Sequence, residues 1–247
     1  MIIKGIIFDN NGTLSDIQTN EGHDEVYRVL SNLLSYQGIL LDKHVVKDLY
    51  FQIMKEQRAA SGERHPEFDA IDIFHNIITQ HSTDYTHSLP PEKIAQLPRL
   101  LAETYRAATR FRLQLYPGVK DTIWHLHSKY QLALVSDGQT AYALAELNAV
   151  GLSGFFDPII VSGDLGYRKP DKRIFIAALS AMKLNPAEVL FVGNDMYRDV
   201  YGAQALGIKT VFFKSNQGTQ EKEGINPDYI IYNFPELLHA IRFFEKQ

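Results

Sequence analysis

The chain begins with apolar, mostly β-branched positions at Ile2, Ile3, Ile6, Ile7 and Phe8. That pattern predicts a short strand over 2–8, buried on both faces. A polar, turn-forming cluster follows, Asp9-Asn10-Asn11-Gly12-Thr13. From 15 to 112 the apolar period becomes helical. Val26, Val29, Leu30, Leu33 and Leu34 form one stripe, and Val46, Leu49, Tyr50, Ile53 and Met54 a second. Ile71, Phe74, Ile77 and Ile78 give a third, and Ile94, Leu97, Leu101, Tyr105 and Ala108 a fourth. This is the i, i+3, i+4 spacing of amphipathic helices. Gly38, Pro66 and Pro90-Pro91 punctuate the stripes, as helix boundaries do.

After Tyr116-Pro117-Gly118 the pattern alternates. Helices are predicted over 119–129, 141–150, 172–182, 199–206 and 235–244, and strands over 132–135, 158–161, 189–192, 210–213 and 229–231. Repeated β-α-β order implies a parallel sheet covered by helices on both faces. The first strand joins that sheet, so the four-helix block is an insertion. The expected architecture is an α/β core made of 1–14 and 114–247, with an all-helical domain over 15–113.

Composition narrows the class without changing this picture. The 247 residues are 45% hydrophobic and 22% charged, ordinary values for a globular protein. The formal net charge is −4, from 25 Lys+Arg against 29 Asp+Glu, with no long basic run, so nucleic acid is not an expected partner. The absence of cysteine removes disulfides, thiol catalysis and Cys-ligated zinc. Asp9 comes too early for a signal peptide, and no apolar run approaches the ~20 residues of a membrane span. A cytoplasmic protein with no membrane partner is expected; its oligomeric state is left open.

Ligands of open parallel sheets bind at the carboxyl ends of the strands, and here those ends are polar. The first strand leads to Asp9, Asn11 and Thr13, and the second to Ser136, Asp137 and Gly138. The strand at 189–192 leads to Gly193-Asn194-Asp195, with Asp199 four residues further on. Gly166-Tyr167-Arg168-Lys169-Pro170-Asp171 follows the strand at 158–161. Such a group suits phosphoryl transfer. Asp9 is placed to attack phosphorus, and amides beside Gly12 to bind phosphate oxygens. Asp9 and Asp195 offer hard oxygen ligands for Mg²⁺. Lys169 would offset charge on the transferring group while Ser136 and neighbouring amides orient it.

Each residue alone has a plainer reading: Asp9 as a turn residue, Ser136 as a helix cap, Lys169 as a surface lysine, Asp195 and Asp199 as acidic groups at a helix start. The ordered set outweighs them. The nine histidines show no HExxH or HxxxH spacing, and no GxSxG or GxxxxGK[ST] motif occurs.

In order, these segments resemble the haloacid dehalogenase-like (HAD) hydrolase superfamily, in the subgroup with a helical C1 cap inserted after the first strand. Ile6-Ile7-Phe8-Asp9-Asn10-Asn11-Gly12-Thr13-Leu14 resembles its first motif and Val135-Ser136-Asp137-Gly138 its second. Arg168-Lys169-Pro170-Asp171 resembles the third, and Val192-Gly193-Asn194-Asp195-Met196-Tyr197-Arg198-Asp199 the fourth. The resemblance implies a Rossmann-like core and a cap, with Asp9 as nucleophile and Mg²⁺ ligand. Ser136, Asp137, Gly138 and Lys169 would hold the phosphoryl group, Lys169 also assisting catalysis. Asp195 would bind the metal, and Asp199 would support it, directly or through water.

Asn11 departs from the pattern, which in the family's phosphatases has an aspartate that serves as general acid and base. Its backbone carbonyl still serves as a metal ligand, but a neutral amide does not shuttle a proton, a loss typically worth ~10²–10⁴ in rate. The resemblance therefore implies a Mg²⁺-dependent hydrolase of small phosphomonoesters acting through an aspartyl-phosphate and weakened at Asn11. The alternatives are a phosphotransferase or phosphomutase on the same scaffold, an impaired phosphate-binding relative and, last, a dehalogenase. The partner is a small phosphorylated metabolite in the first three. His23, Arg58, Arg64 and His65 are candidates for substrate contacts from the cap.

Overall fold

The computed structural model describes residues 1–246. The chain divides into two compact units, one made of 1–17 with 113–247 and the other of 18–112. The first is built on six parallel strands: β1 (Gly5–Phe8), β4 (Gln131–Ser136), β5 (Ile159–Val161), β6 (Val189–Gly193), β7 (Lys209–Phe213) and β8 (Tyr229–Ile231). Their order is β5-β4-β1-β6-β7-β8. Ile6 is in register with Leu132 of β4 and Leu190 of β6. The chain builds outward from β1 on one side and then on the other, so the strand order reverses beside β1. Ligands of such sheets sit at that reversal, beyond the carboxyl ends.

Alternation along the strands makes two cores, because successive side chains point to opposite faces. Ile6, Phe8, Leu132, Leu134, Leu190 and Val192 pack on one face against Ile123 of α6 (Val119–His127) and Ile241 and Phe244 of α11 (Leu237–Glu245). Ile7, Ala133, Val135 and Phe191 face the other way, onto Ile174, Phe175 and Ala178 of α9 (Lys172–Met182). The interiors of the central strands, Ile6–Phe8, Leu132–Val135 and Val189–Val192, are apolar throughout because both faces are covered.

The predicted helical stretch begins and ends in strands. β2 (Ser15–Thr19) and β3 (Arg110–Leu115) form a two-stranded sheet. Between them run α1 (Asp24–Ser35), α2 (Lys43–Ala60), α3 (Ala70–His81), the short α4 (Asp84–Ser88) and α5 (Pro91–Thr109). The expectation of helix from 15 to 112 fails at its ends, where pairing between distant segments, rather than local periodicity, sets the conformation. Tyr27, Tyr50, Phe74 and Tyr105 fill the core of the helical unit, with the Tyr50 and Tyr105 rings 4.4 Å apart. Arg58 lies 3.9 Å from buried Glu67 and over the ring of Phe68, so its guanidinium is engaged within this unit. His23 and Arg64 are exposed and His65 half-buried.

The predicted helix at 199–206 also differs. Residues Met196–Tyr201 form a π-helical turn that passes into α10 (Gly202–Gln204), and such turns recur at functional sites.

Candidate active site

Asp9 follows β1 directly and its amide donates to Val192 of β6 at 2.9 Å. The next turn closes on itself. The Asn10 carbonyl accepts the amides of Thr13, Leu14 and Ser15, and the Gly12 amide donates to Ser15. The expectation that amides beside Gly12 bind phosphate is therefore not met at 12–15, where each is used to close the loop. Gly12 has a φ of +89°, and a Cβ there would collide with the Asn194 side chain; glycine alone suits both demands. The Thr13 hydroxyl lies 3.0 Å from Oδ2 of Asp9 and 3.1 Å from Oδ1 of Asn194, joining the ends of β1 and β6.

Lys169 arrives from the loop that follows β5 and α8 (Ser162–Leu165). It is 3% exposed, which the surface-lysine reading does not accommodate. Its ammonium has three acceptors, Asp9 Oδ1 at 2.6 Å, Asp199 Oδ1 at 2.7 Å and the Val135 carbonyl at 3.2 Å. Its backbone amide donates to Asp137 Oδ1 at 3.0 Å. Burial alone would lower the Lys169 pKa, but Asp199, Asp9 and Asp137 outweigh it and raise the pKa above the ordinary value. The ammonium is thus fixed as a cation.

Asp199 sits behind the lysine. Its Oδ2 accepts the amides of Asn194 and Asp195, each at 3.0 Å. Gly193 makes room for it, since a Cβ there would stand 2.5 Å from the Asp199 side chain. Burial pushes the Asp199 pKa up and Asp9 adds to this, against the opposing pull of Lys169 and Arg198. Both of its oxygens accept hydrogen bonds from the protein, Oδ1 from Lys169 and Oδ2 from the two amides, so Asp199 ties the lysine to the turn after β6.

Asp195 caps the π-helical turn. Oδ1 accepts the amides of Tyr197 and Arg198, and Oδ2 accepts the Thr219 amide at 3.0 Å and lies 3.0 Å from the Arg198 guanidinium. Burial would raise its pKa, but these donors hold it below the ordinary value. Arg198 also lies 3.7 Å from Asp137 Oδ2. Ser136 is buried at the end of β4. Gly138 donates its amide to the Ser162 hydroxyl at 2.8 Å. The Asp137 side chain thus holds the Lys169 loop, and the Gly138 amide is tied to Ser162 of α8. Asn11 is half-buried, and its Oδ1 has no hydrogen-bond partner.

Arg198 and Thr219 carry no functional signal in the sequence alone. Arg198 is three residues after Asp195, a spacing that brings helical side chains together. Thr219 is 24 residues away and reaches Asp195 through the loop after β7, for which no local pattern exists.

These carboxylates and one buried lysine lie at the reversal of a doubly wound sheet, where such folds bind their ligands. The family model of haloacid dehalogenase-like hydrolases matches residues 3–207. The chain belongs to that family. It is similar to a glyceraldehyde 3-phosphate phosphatase of Pyrococcus furiosus, 32% identical across 97% of this chain and 93% of that one. Pyrophosphatase PpaX of Halalkalibacterium halodurans is 27% identical across 98% of each. A 2-haloacid dehalogenase from Pseudomonas syringae shares the fold, with a TM-score of 0.72 at 19% identity, covering 98% of this chain and 100% of that one. Among the described residues no helix is long and apolar enough to cross a membrane.

Proposed function

We propose that this chain is a Mg²⁺-dependent phosphatase of small phosphorylated metabolites that works through an aspartyl-phosphate on Asp9. The observation that carries the reading is the buried Lys169 ammonium, 2.6 Å from Asp9. It holds the carboxylate in place and sits where charge on a transferring phosphoryl group needs compensation. The phosphatase names of the relatives support it.

The residues present fit a divalent cation. Asp9, Asp137 and Asp199 act on Lys169, and the same three together with Asp195 act on Arg198. At formal charges that leaves a surplus of two negative charges in a largely buried cluster, which is costly unless compensated. Asp9, the Asn11 carbonyl and Asp195 would hold Mg²⁺, which favours a few hard oxygens plus waters and phosphate. When bound, the ion neutralises and orients the phosphoryl oxygens.

The protein's own groups divide the rest. Thr13 and Lys169 aim the Asp9 carboxylate, and the Ser136 hydroxyl binds the phosphoryl group. Asp137 and Asp199 position Lys169, while Asn11 orients without exchanging a proton. The test combines phosphate release and trapping. Three-carbon sugar phosphates, phosphoserine and pyrophosphate are each incubated with protein and Mg²⁺, and acid-quenched samples are mapped for phosphate on Asp9. Release together with label on Asp9, both lost in Asp9→Ala, is expected. No release from any compound and no label would end the reading.

A further inference from the structure

Asp195 is aimed from outside its own turn. Its Oδ1 is taken by the amides of Tyr197 and Arg198, which leaves Oδ2, beside the Arg198 guanidinium, as the oxygen that faces a cation. The backbone donor on Oδ2 is the Thr219 amide, at 3.0 Å. The Thr219 carbonyl returns the contact, accepting the Met196 amide at 2.8 Å. Gly218 lies flat against Asn194. Its φ is +77°, and a Cβ there would stand 2.5 Å from the Asn194 carbonyl oxygen. Residues 218–219 thus clasp the backbone of 194–196 and the Asp195 carboxylate. Gln217 holds the clasp in turn. Its Nε2 donates to Asp16 Oδ1 at 2.9 Å and to the Ile17 carbonyl at 3.1 Å, and Asp16 is 6% exposed. Both hydrogens of one amide nitrogen are spent on a single segment, the last residues of the α/β unit before the chain enters the helical one. The Gln217 carbonyl also accepts from Gln220, which closes the turn.

We infer that Gln217 is a positioning residue for the divalent cation. By tying the loop after β7 to Asp16 and Ile17 it fixes the Thr219 amide, and through that amide the direction of Asp195 Oδ2. The inference rests on the Mg²⁺ reading above and adds to it a residue that touches neither cation nor phosphate. The plainer role for Gln217 is that of an anchor for a surface loop, and the two roles differ in what they change. An anchor alters the stability of the loop and nothing at Asp195. A positioning residue shares free energy with the cation, because a Thr219 amide ordered beforehand need not be ordered on binding. Such coupling is reciprocal. If Gln217 strengthens cation binding, the cation strengthens the ties of Gln217 by the same factor. Groups that orient a metal ligand typically change metal affinity by ~10–100-fold. Gln217 acts one step further out, so the lower end of that range is the expected size.

The experiment measures cation binding directly, without substrate. Mg²⁺ is followed by calorimetry, and Mn²⁺, which suits the same oxygen ligands, by electron paramagnetic resonance. The proteins are the parent, Gln217→Met, Gln217→Lys and Gly218→Ala. Methionine keeps the length of the side chain and removes both hydrogen bonds, whereas lysine keeps a donor for Asp16. Gly218→Ala pushes the clasp off Asn194 and leaves Gln217 in the chain. Gln217→Met and Gly218→Ala should each bind both cations ~10-fold more weakly than the parent, and Gln217→Lys should return to within about threefold of it. Hydrogen exchange supplies the reciprocal arm. Mg²⁺ should slow exchange across 15–17 in the parent and should not do so in Gln217→Met. Cation affinity in Gln217→Met equal to the parent's, or exchange across 15–17 indifferent to Mg²⁺ in the parent, would overturn the inference and leave the phosphatase reading standing. A parent that binds neither cation would overturn it as well, and would remove the Mg²⁺ dependence from that reading.

Discussion

Lys169 and Asp199 form an ion pair at 2.7 Å in which both side chains are 2% exposed. The pair is set 30 residues apart along the chain and joins the loop after α8 to the π-helical turn after β6. Removing one member of a buried pair leaves the other uncompensated, at a cost of ~3–5 kcal/mol. Lys169→Met should therefore destabilise the fold by about that much at neutral pH. The pH dependence has a definite sign. The Asp199 pKa is already raised by burial, and loss of Lys169 raises it further. A group with a raised folded pKa favours the folded state most below its unfolded value, and that contribution is lost as pH rises through the folded value. Urea unfolding at pH 5 and pH 8 should show the Lys169→Met deficit growing with pH.

Mg²⁺ should stabilise the protein, because a ligand bound by the native state alone shifts the folding equilibrium by mass action. At ~100-fold over its dissociation constant the gain is about 2.7 kcal/mol, several degrees in Tm for a chain of this size. Asp195→Ala should lower the metal-free Tm modestly, through loss of the cap on Tyr197 and Arg198, and should largely remove the response to Mg²⁺. Thermal scans at rising Mg²⁺ check this, each protein against its own metal-free baseline.

Asp228 offers a control remote from β1. It accepts from Lys209 Nζ at 2.6 Å and from the Thr210 amide and hydroxyl at 2.9 and 3.0 Å. Burial would raise its pKa, but Lys209 and Thr210 hold it below the ordinary value. A lowered folded pKa contributes stability above the unfolded value of about 3.9 and loses it as pH falls through the folded one. Asp228→Asn should cost about 1 kcal/mol at pH 7, a modest figure because the half-exposed Lys209 is screened by solvent. The difference should begin to shrink as pH falls below ~4 and vanish only below the lowered folded value.

The loop after β7 is tied at three points. Gln217 Nε2 donates to Asp16 Oδ1 at 2.9 Å and to the Ile17 carbonyl at 3.1 Å, the Tyr116 hydroxyl donates to Asn216, and Thr219 donates to Asp195. Gln217→Ala removes two of these hydrogen bonds and should cost about 1–2 kcal/mol. Hydrogen exchange should show faster exchange at the Thr219 amide and across 15–17, with α9 unchanged.

Much of this was legible locally. The α9 and β8 ranges match the periodicity residue for residue, because a helix capped by Asp171 and a short apolar strand are set by near neighbours. The π-helical turn and the strands flanking the helical block were not legible. Ser15–Thr19 is ordinary polar sequence, and it is a strand because Arg110–Leu115 lies beside it.

The sequence by itself determined which chemical groups exist and at which strand ends they fall: Asp9 after β1, Ser136 at the end of β4, Asp195 after β6, and an amide instead of a carboxyl at 11. These follow from residue type and from short-range patterns of burial. Tertiary structure alone decided what each group faces. Lys169 and Asp9 are 160 residues apart in sequence and meet because the loop after β5 and α8 brings the lysine over the ends of β4 and β1. The same closure turned the Gly12 amide inward, set Asp137 and Asp199 to positioning the lysine, and brought Thr219 to Asp195. Hydrogen-bond partners across a sheet are chosen by strand order and loop path, and neither is written in the spacing of any one segment.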